Sequence, residues 1–555
     1  MTIEDNSRIR FGVAIRAAFK RGYTVADLRA DAIAGLVIGV VALPLSMALA
    51  IAAGAPPEHG LYTAIVAGMV IALTGGSMHS VSGPTAAFVV LLVPVTTRYG
   101  LRGLLVASVL AGLIMLLMGG AGLGKLIRFI PHPVTTGFTA GIAVVIAILQ
   151  LGDLLGLGRL EGERVWERLG DLFARIGEVS AVDLVIGLVT LAVLVVWPKI
   201  THRVPGPLVG LTLATLLGLV LTNAGNAPVT IESLFGGIPQ AVPLPTLPWA
   251  GADLGWDEIV GLLPTAAAIA LLGAIESLLC AVVSDGMTGG RHDSDAELIG
   301  LGIGNIIAPF FGGFAATGAI ARTATAIRAG SRSPLAVVVH SLFLLVAMLA
   351  LAPVLGRIPM AGMAALLLIV AWNMSDFGHF KRITRIAPRS DVVVMFSCFA
   401  LTVLFDMVVA VITGVVLAAF LFMRRMVEIS GAQLVGGPEG HTVGGLPPGV
   451  VFYDVAGPLF FGAAEKALGA LSVVGEGVHT VIIDLEDVPA VDATGLVALE
   501  SIVERINRSG AKVVITGVRP QPRRALERAG FRDEPGKLEI TDDVDTTMND
   551  LLGSS

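Results

Sequence analysis

Cysteine is nearly missing from this chain. It occurs twice in 555 residues, as Cys280 and Cys398, and each lies inside an apolar run. A disulfide framework is thereby excluded. Charge is scarce too: 14% of residues are Asp, Glu, Lys or Arg, against about a quarter in soluble domains. Lys and Arg never gather with interleaved aromatics, so nucleic-acid binding is not expected. No metal-spaced His/Cys set and no nucleophile–base constellation appears, so neither an enzyme nor a bound cofactor or metal is expected. The first 30 residues hold Arg8, Arg10, Arg16, Lys20, Arg21 and Arg29 without an apolar core, which is not the pattern of a cleavable signal peptide.

What is present is hydrophobic residue, 55% of the chain, at a mean hydropathy of +0.84. A multi-span membrane protein is expected. The formal charge of -6 is unevenly spread. Residues 1–428 carry 27 basic and 25 acidic side chains, net +2, whereas residues 429–555 carry 10 and 18, net -8. This shift divides the chain into a cytoplasmic N-terminal segment (1–30), a transmembrane domain (31–428), a Gly/Pro-rich linker (429–448) and an acidic soluble domain (449–555).

A span needs about 20 apolar residues. Such segments fall at 31–53, 60–76, 84–96, 102–121, 131–151, 181–198, 206–222, 258–284, 297–312, 318–329, 334–353, 359–375, 391–405 and 408–427, fourteen in all. Two of them, 84–96 and 318–329, are too short to cross a core about 30 Å thick at 1.5 Å per residue. They are the third and the tenth, seven apart, and short segments at matching positions mark inverted repeats with a site between broken helices. Repeats of seven spans insert with opposite orientation, and the even total puts both termini on one side. Loops on that side hold 19 Lys and Arg against 7 on the other, so both termini are expected in the cytoplasm. The amphipathic segment 159–175 is expected to lie along the outer interface. Beyond residue 448, strands at 450–455, 480–484 and 512–516 alternate with helices near 463–473, 495–508 and 520–529, the pattern of a small α/β domain.

The two short helices start in small, polar sequence: Ser82-Gly83-Pro84-Thr85-Ala86-Ala87 and Thr317-Gly318-Ala319-Ile320-Ala321-Arg322. Facing each other near the midplane, both would aim positive dipole ends at one cavity, which wants an anion. Arg322 adds a full charge. Glu276, mid-span in the eighth helix, can take up a proton or help hold Na⁺, since intramembrane ionisable residues are functional candidates by default. Pairing with Arg322 is its structural alternative. His340 is expected to be a packed, hydrogen-bonded histidine and Asp406 a solvated turn residue. Pro44 breaks the first span, where Ser46 is a candidate ligand. In the tail, Asp492 is expected to cap the following helix, and Thr494 is a candidate phosphoacceptor.

Pro44, Gly60-Leu61-Tyr62, Ser82-Gly83-Pro84-Thr85, the run from Asn305 through Phe310-Phe311-Gly312-Gly313 to Thr317-Gly318-Ala319 and Ala321-Arg322-Thr323, and the α/β tail together resemble the sulfate permease family, solute carrier family 26, with its C-terminal STAS domain. The wording is most similar to that of the family's bacterial dicarboxylic acid uptake members. Leu45 departs from the Gln that many relatives carry after the Pro. The resemblance implies fourteen helical spans in a seven-plus-seven inverted repeat, core and gate domains, elevator-like alternating access and a homodimer with STAS contacts. It implies an anion site at Thr85, Ala86, Ala87, Gly318, Ala319 and Ala321, with Arg322 in the family's basic position and Glu276 in its cation-coupling position. The expected activity is proton-coupled uptake of C4-dicarboxylates (succinate, fumarate, aspartate) across a bacterial inner membrane. Na⁺- or H⁺-coupled bicarbonate or sulfate transport, an anion channel, and a STAS-mediated regulator are the alternatives. Membrane lipid and a cytoplasmic protein at the STAS domain are the other expected partners.

Overall fold

Thr24 opens the first long helix with a reciprocal cap: its hydroxyl accepts the Asp27 N–H at 3.2 Å while the Asp27 carboxylate accepts the Thr24 N–H at 3.0 Å. Such caps satisfy donors that a helix start otherwise leaves orphaned. The computed structural model describes residues 11–125, 131–162, 164–201, 204–249, 255–405, 407–429, 431–436, 446–460, 464 and 477–542. It divides into two units, Met1–Val415 and Val416–Ser555.

In the first unit α1 (Val13–Lys20) precedes α2 (Val25–Ala52), which carries Pro44 inside it. α3 (Pro57–Tyr62) runs through a π-helical turn, Thr63–Ala67, into α4 (Gly68–Thr74). β1 (Ser82–Gly83) leads into α5 (Ala86–Gly120). Gly100, at φ 64°, interrupts α5, leaving Ala86–Tyr99 as a half-helix. α6 (His132–Leu154), α7 (Val165–Ala174), α8 (Ala181–Ile200), α9 (Gly206–Asn223) and α10 (Ile231–Phe235) complete this half. The second half holds α11 (Trp256–Thr288), α12 (Ser294–Ile307), β2 (Thr317–Gly318), α13 (Ile320–Arg328), α14 (Leu335–Gly356), α15 (Met360–Ser375), α16 (Phe377–Ile386), α17 (Arg389–Leu404) and the start of α18 (Met407–Ile429), within which the division between the units falls.

Helix is present at each of the fourteen segments read from the sequence. Among the described residues, nine helices are long and apolar enough to cross a membrane. Both short segments are short here: α13 has nine residues and the first arm of α5 ends at Gly100. Each is preceded by a two-residue strand, and the strands pair antiparallel, Ser82 opposite Gly318 and Gly83 opposite Thr317. α5 and α12 cross at backbone contact. A Cβ on Gly112 would stand 2.8 Å from Gly302 O, and one on Gly302 would stand 2.7 Å from Leu116 N. Small residues at such crossings replace the hydrophobic drive that lipid removes.

Two expectations require correction. The loop between α15 and α17 contains α16, an amphipathic helix whose single buried residue is Ile383. Its three cationic residues, Lys381, Arg382 and Arg385, in a short stretch hide it from hydropathy averaging. Residues 429–448 are also not wholly linker: β3 (Gly431–Gly436) pairs antiparallel with β4 (Val450–Ala456), Gly431 opposite Ala456. The Gly/Pro-rich part starts only at Gly436, and the alternation before it lacks a local partner that would reveal a strand.

The second unit is a five-stranded sheet in the order β3-β4-β5-β6-β7, with β5 (Thr480–Asp484), β6 (Lys512–Thr516) and β7 (Leu538–Ile540) parallel to β4. The helices are α19 (Ala493–Arg508) and α20 (Pro520–Arg528). Tyr453, Val455, Ile483, Leu499, Ile515 and Leu526 belong to its core. The helix expected near 463–473 lies outside the described residues except Ala464, and Asp406, Arg128 and Arg203 also lie outside them.

Candidate functional site

The β1–β2 pair is the anchor from which the site is built. Each strand ends where a helix starts, so antiparallel pairing brings the starts of α5 and α13 to opposite ends of one short ladder. Thr85 is the N-cap of α5 and Ala319 that of α13, and neither caps its helix through a side-chain hydrogen bond. Ala86 and Ala87 are buried in the first turn of α5, whereas Ile320 and Ala321 of α13 are exposed. An uncapped helix start presents N–H groups to an anion.

α11 holds this pair from behind through a relay of hydroxyls. The Gly318 N–H donates to Ser277 Oγ at 2.8 Å, Ser277 Oγ lies 2.9 Å from Thr317 Oγ1, and Thr317 Oγ1 donates to Gly273 O at 2.9 Å. The direction follows from the far end: the single hydroxyl proton of Thr317 goes to Gly273 O, so Ser277 is the donor to Thr317. Thr323, in the first turn of α13, accepts the Val81 N–H at 2.9 Å and lies 3.1 Å from Cys280 Sγ. Asn305 of α12 fixes the strand before β2, accepting the Ala316 N–H at 2.7 Å and donating to Ala316 O at 2.9 Å. All of these side chains are fully buried, so each bond is made where an unmade one is costly.

Two ionisable groups stand among them. Glu276, on the same helix as Ser277, accepts the Thr85 hydroxyl at 3.2 Å, which joins α11 to the start of α5. Arg322, 4% exposed, donates through Nη2 to Pro84 O. Its Nε and Nη1 have no hydrogen-bond partner among the described residues. Gly83 makes room for it, since a Cβ there would stand 2.7 Å from Nη1. Glu276 and Arg322 do not bond each other, so the structural-pair reading of Glu276 is not realised. Thr85, Glu276, Gly318 and Arg322 are thus joined through hydrogen bonds to the two helix starts.

Ser46 is fully buried with no partner for its hydroxyl among the described residues, and no hydrogen bond ties it to the other site residues. His340 is fully buried as expected, yet neither ring nitrogen has a partner among the described residues. The sequence reading passed over Ser277, Thr323 and Glu297 as bonding groups. Glu297 of α12, 2% exposed, accepts the N–H groups of Gly76 and Ser77, each at 2.9 Å. A carboxylate at the start of an apolar span was the signal that could have found it.

In the second unit, Asp492 caps α19 as expected, accepting the Gly495 N–H at 2.8 Å. Thr494 is exposed one residue inside that helix. Gln521 grips the backbone before it, accepting from Val491 N at 2.9 Å and donating to Val491 O at 3.1 Å.

Comparison with known proteins agrees with this architecture. The profile of the sulfate permease family matches residues 28–398 and that of the STAS domain matches residues 446–547. The putative sulfate transporter YvdB of Bacillus subtilis is 40% identical over 529 residues, 95% of this chain and 98% of that protein. The bicarbonate transporter BicA of Picosynechococcus sp. is 30% identical over 550 residues, 95% of each. Among solved structures, the transmembrane domain of a cyanobacterial bicarbonate transporter BicA aligns at 29% identity with a TM-score of 0.62, over 71% of this chain and 97% of that one. Murine Solute Carrier 26 family member A9 in its inward-facing state shares the fold at 18% identity, with a TM-score of 0.84 over 97% of this chain and 94% of that one.

Proposed function

This chain belongs to the sulfate permease family, and from that premise we propose that it takes up C4-dicarboxylates such as succinate, fumarate or aspartate together with protons, by an elevator-like movement. At the coarser level it is a multi-pass membrane protein of an anion-transport family with a STAS domain. The observation that carries the finer reading is Glu276 hydrogen-bonded to Thr85 at one helix start, with Arg322 gripping Pro84 at the same place.

Charge matching supports it. Two helix N-termini contribute about half an elementary charge each, and Arg322 adds one. The sum is about +2, which matches a dianion. An ionised Glu276 cancels one of those charges and a protonated one does not. Proton uptake by Glu276 therefore strengthens dianion binding, and proton loss weakens it, which is the linkage a symporter needs. Na⁺ held by an ionised Glu276 would restore the same balance.

A second reading, bicarbonate or sulfate as the cargo, is favoured by the names of the relatives that align over 95% of this chain. The test is uptake of labelled succinate into proteoliposomes holding the purified protein, with and without an imposed pH gradient, against sulfate and bicarbonate as competitors. Gradient-driven accumulation is expected. Uptake indifferent to the gradient sinks proton coupling. No succinate uptake, with transport of either competitor, transfers the assignment to the second reading, and electrical currents far above carrier turnover make the protein a channel. The same proposal includes a homodimer in a bacterial inner membrane with both termini cytoplasmic. Thr494 is its phosphoacceptor, through which a cytoplasmic partner acts on the STAS domain.

A further inference from the structure

α7 and α16 occupy matching places in the two halves: α7 follows the fifth apolar segment and α16 the twelfth. Both are amphipathic, yet their charges are handled in opposite ways. Around α7, Arg175 pairs with Asp171 at 3.5 Å and with Glu178 at 3.1 Å. Arg168 is 8% exposed and donates its Nε to Gly162 O at 2.9 Å. Around α16, the stretch 377–390 holds Lys381, Arg382, Arg385 and Arg389 and no acidic residue. Lys381, Arg382 and Arg385 are exposed, and none has an ion-pair partner among the described residues.

The packing of α16 fixes which way those cations face. Ile383 is buried, and Phe380 sets its ring against Phe396 and Phe399 of α17 at 5.4 and 5.9 Å. The His379 ring lies 5.0 Å from that of His132 on α6. At about 100° per residue, Lys381 and Arg385 then fall on the face opposite Ile383, and Arg382 on its flank, about 100° away. The carboxylates that flank α16 in sequence are hydrogen-bonded: Asp376 caps α16 through the His379 N–H at 3.3 Å, and Asp391 accepts the Ser390 hydroxyl at 3.2 Å. Beside the basic face, large apolar groups stay open: Trp372 is 67% exposed, Phe377 58% and Ile386 69%. A basic face bordered by open aromatic and aliphatic side chains, on a helix between two apolar helices, is the pattern of a segment lying in the headgroup layer.

We infer that α16 is an anionic-phospholipid site, with Lys381, Arg382 and Arg385 holding acidic headgroups while Trp372, Phe377 and Ile386 enter the acyl boundary beside them. The inference depends on residence in a membrane and not on the cargo or its coupling. The inverted repeat puts α7 on the opposite face, where its internally paired charges have no use for an acidic lipid.

The test is competition between phosphatidylglycerol and phosphatidylcholine for the purified full-length protein in detergent, with bound lipid counted by native mass spectrometry. The wild type is expected to retain phosphatidylglycerol preferentially, and rising salt should erode that preference. Each neutralisation in K381Q, R382Q and R385Q should lower it by about fivefold, near the worth of one surface cation. The charge-keeping triple K381R/R382K/R385K should retain it, which separates charge from folding. Equal retention of both lipids by the wild type, a preference indifferent to salt, or full preference in the neutralised triple overturns the site.

Discussion

Gly83→Ala is a substitution of one methyl group whose effect should pass entirely through Arg322. The glycine sits in β1 at an ordinary extended conformation, so alanine costs nothing in backbone strain. Its Cβ, however, would lie 2.7 Å from Arg322 Nη1, with Ala64 Cα at 3.6 Å. Ordinary contact requires the guanidinium to retreat by about 0.7 Å or more. That group is 4% exposed and bound to Pro84 O. A hydrogen bond to a charged group is worth about 1.5–3 kcal/mol, and a partial loss of about 1 kcal/mol corresponds to about fivefold in an equilibrium constant. The apparent affinity for the transported anion should fall about fivefold as the guanidinium leaves its place, while a loss of about 1 kcal/mol in a chain of this size moves the thermal midpoint by only about 1–2 °C. The assay is the substrate dependence of uptake into proteoliposomes, run on G83A, R322K and the double variant. Lysine keeps the charge and lacks Nη1, so Gly83→Ala should be nearly silent beside it, a coupling that a double-mutant cycle isolates. Equal loss in both backgrounds would refute the claim that Arg322 geometry, rather than the strand itself, is what Gly83 protects.

Glu276→Gln should abolish gradient-driven accumulation and leave substrate exchange intact, because the amide still accepts from Thr85 and cannot carry the proton; full concentrative uptake by that variant removes Glu276 from coupling. Glu297→Ala strands the N–H groups of Gly76 and Ser77 in a buried place and should destabilise the protein by about 2–5 kcal/mol. Glu297→Gln, whose carbonyl oxygen can replace the single oxygen that now accepts both, should cost far less, and matching unfolding midpoints for the two variants would contradict this. Gly302→Val drives a side chain into the Leu116 backbone, 2.7 Å from where a Cβ would start. It should eliminate folded protein in size-exclusion profiles, where a wild-type monodisperse peak would show that α5 and α12 can part cheaply. In the STAS unit, Asp484 is 8% exposed and its pKa is raised chiefly by burial, which outweighs the Glu486 N–H it accepts. A carboxyl whose pKa is higher in the folded state stabilises that state at low pH and opposes it as pH rises through the ordinary carboxylate range. Asp484→Asn should therefore gain stability relative to wild type as pH increases from about 4 to 7, and a gain independent of pH in denaturation series would exclude ionisation as its cause.

Much of the transmembrane architecture was legible because lipid leaves few alternatives: a backbone inside the bilayer must bond to itself, so apolar length translates directly into helix. The broken segments could be read for the same reason, as runs too short to span that begin in Ser-Gly-Pro-Thr or Thr-Gly-Ala. What could not be read is tertiary by nature. Nothing local says that Ser82 will pair with Gly318, 236 positions later, or that Ser277 and Asn305 will spend their polar groups on the strand between them. Glu276 and Arg322 stood out as charges in apolar surroundings, but their partners, Thr85 and Pro84, come from the other half of the chain. β3 and α16 escaped for opposite reasons: a strand edge needs its neighbour to be recognisable, and a basic amphipathic helix looks like a charged loop when its residues are averaged.

The hydrogen bonds around the two helix starts have a mechanical consequence. Under the proposed alternating access the anion site would have to pass between two exposures without falling apart, and uncapped helix ends would be its weak points. Here α11 bonds to both of them, through Glu276 to Thr85 and through Ser277 to Gly318, while Arg322 of α13 bonds to Pro84 beside the start of α5. The cation-coupling candidate and the anion-binding candidates therefore belong to one cross-braced body. Displacing either alone breaks hydrogen bonds: those of Gly318 with Ser277 and of Arg322 with Pro84 are buried, at about 1–3 kcal/mol for each group stranded, and that of Thr85 with Glu276 is partly buried. Protonation of Glu276 changes the charge of that body without uncoupling it, because an accepting oxygen remains for Thr85. In the proposed symport a coupling ion read out in this way would act on the occupancy and net charge of a rigid element. It does not need to reshape the site in order to permit or forbid its movement.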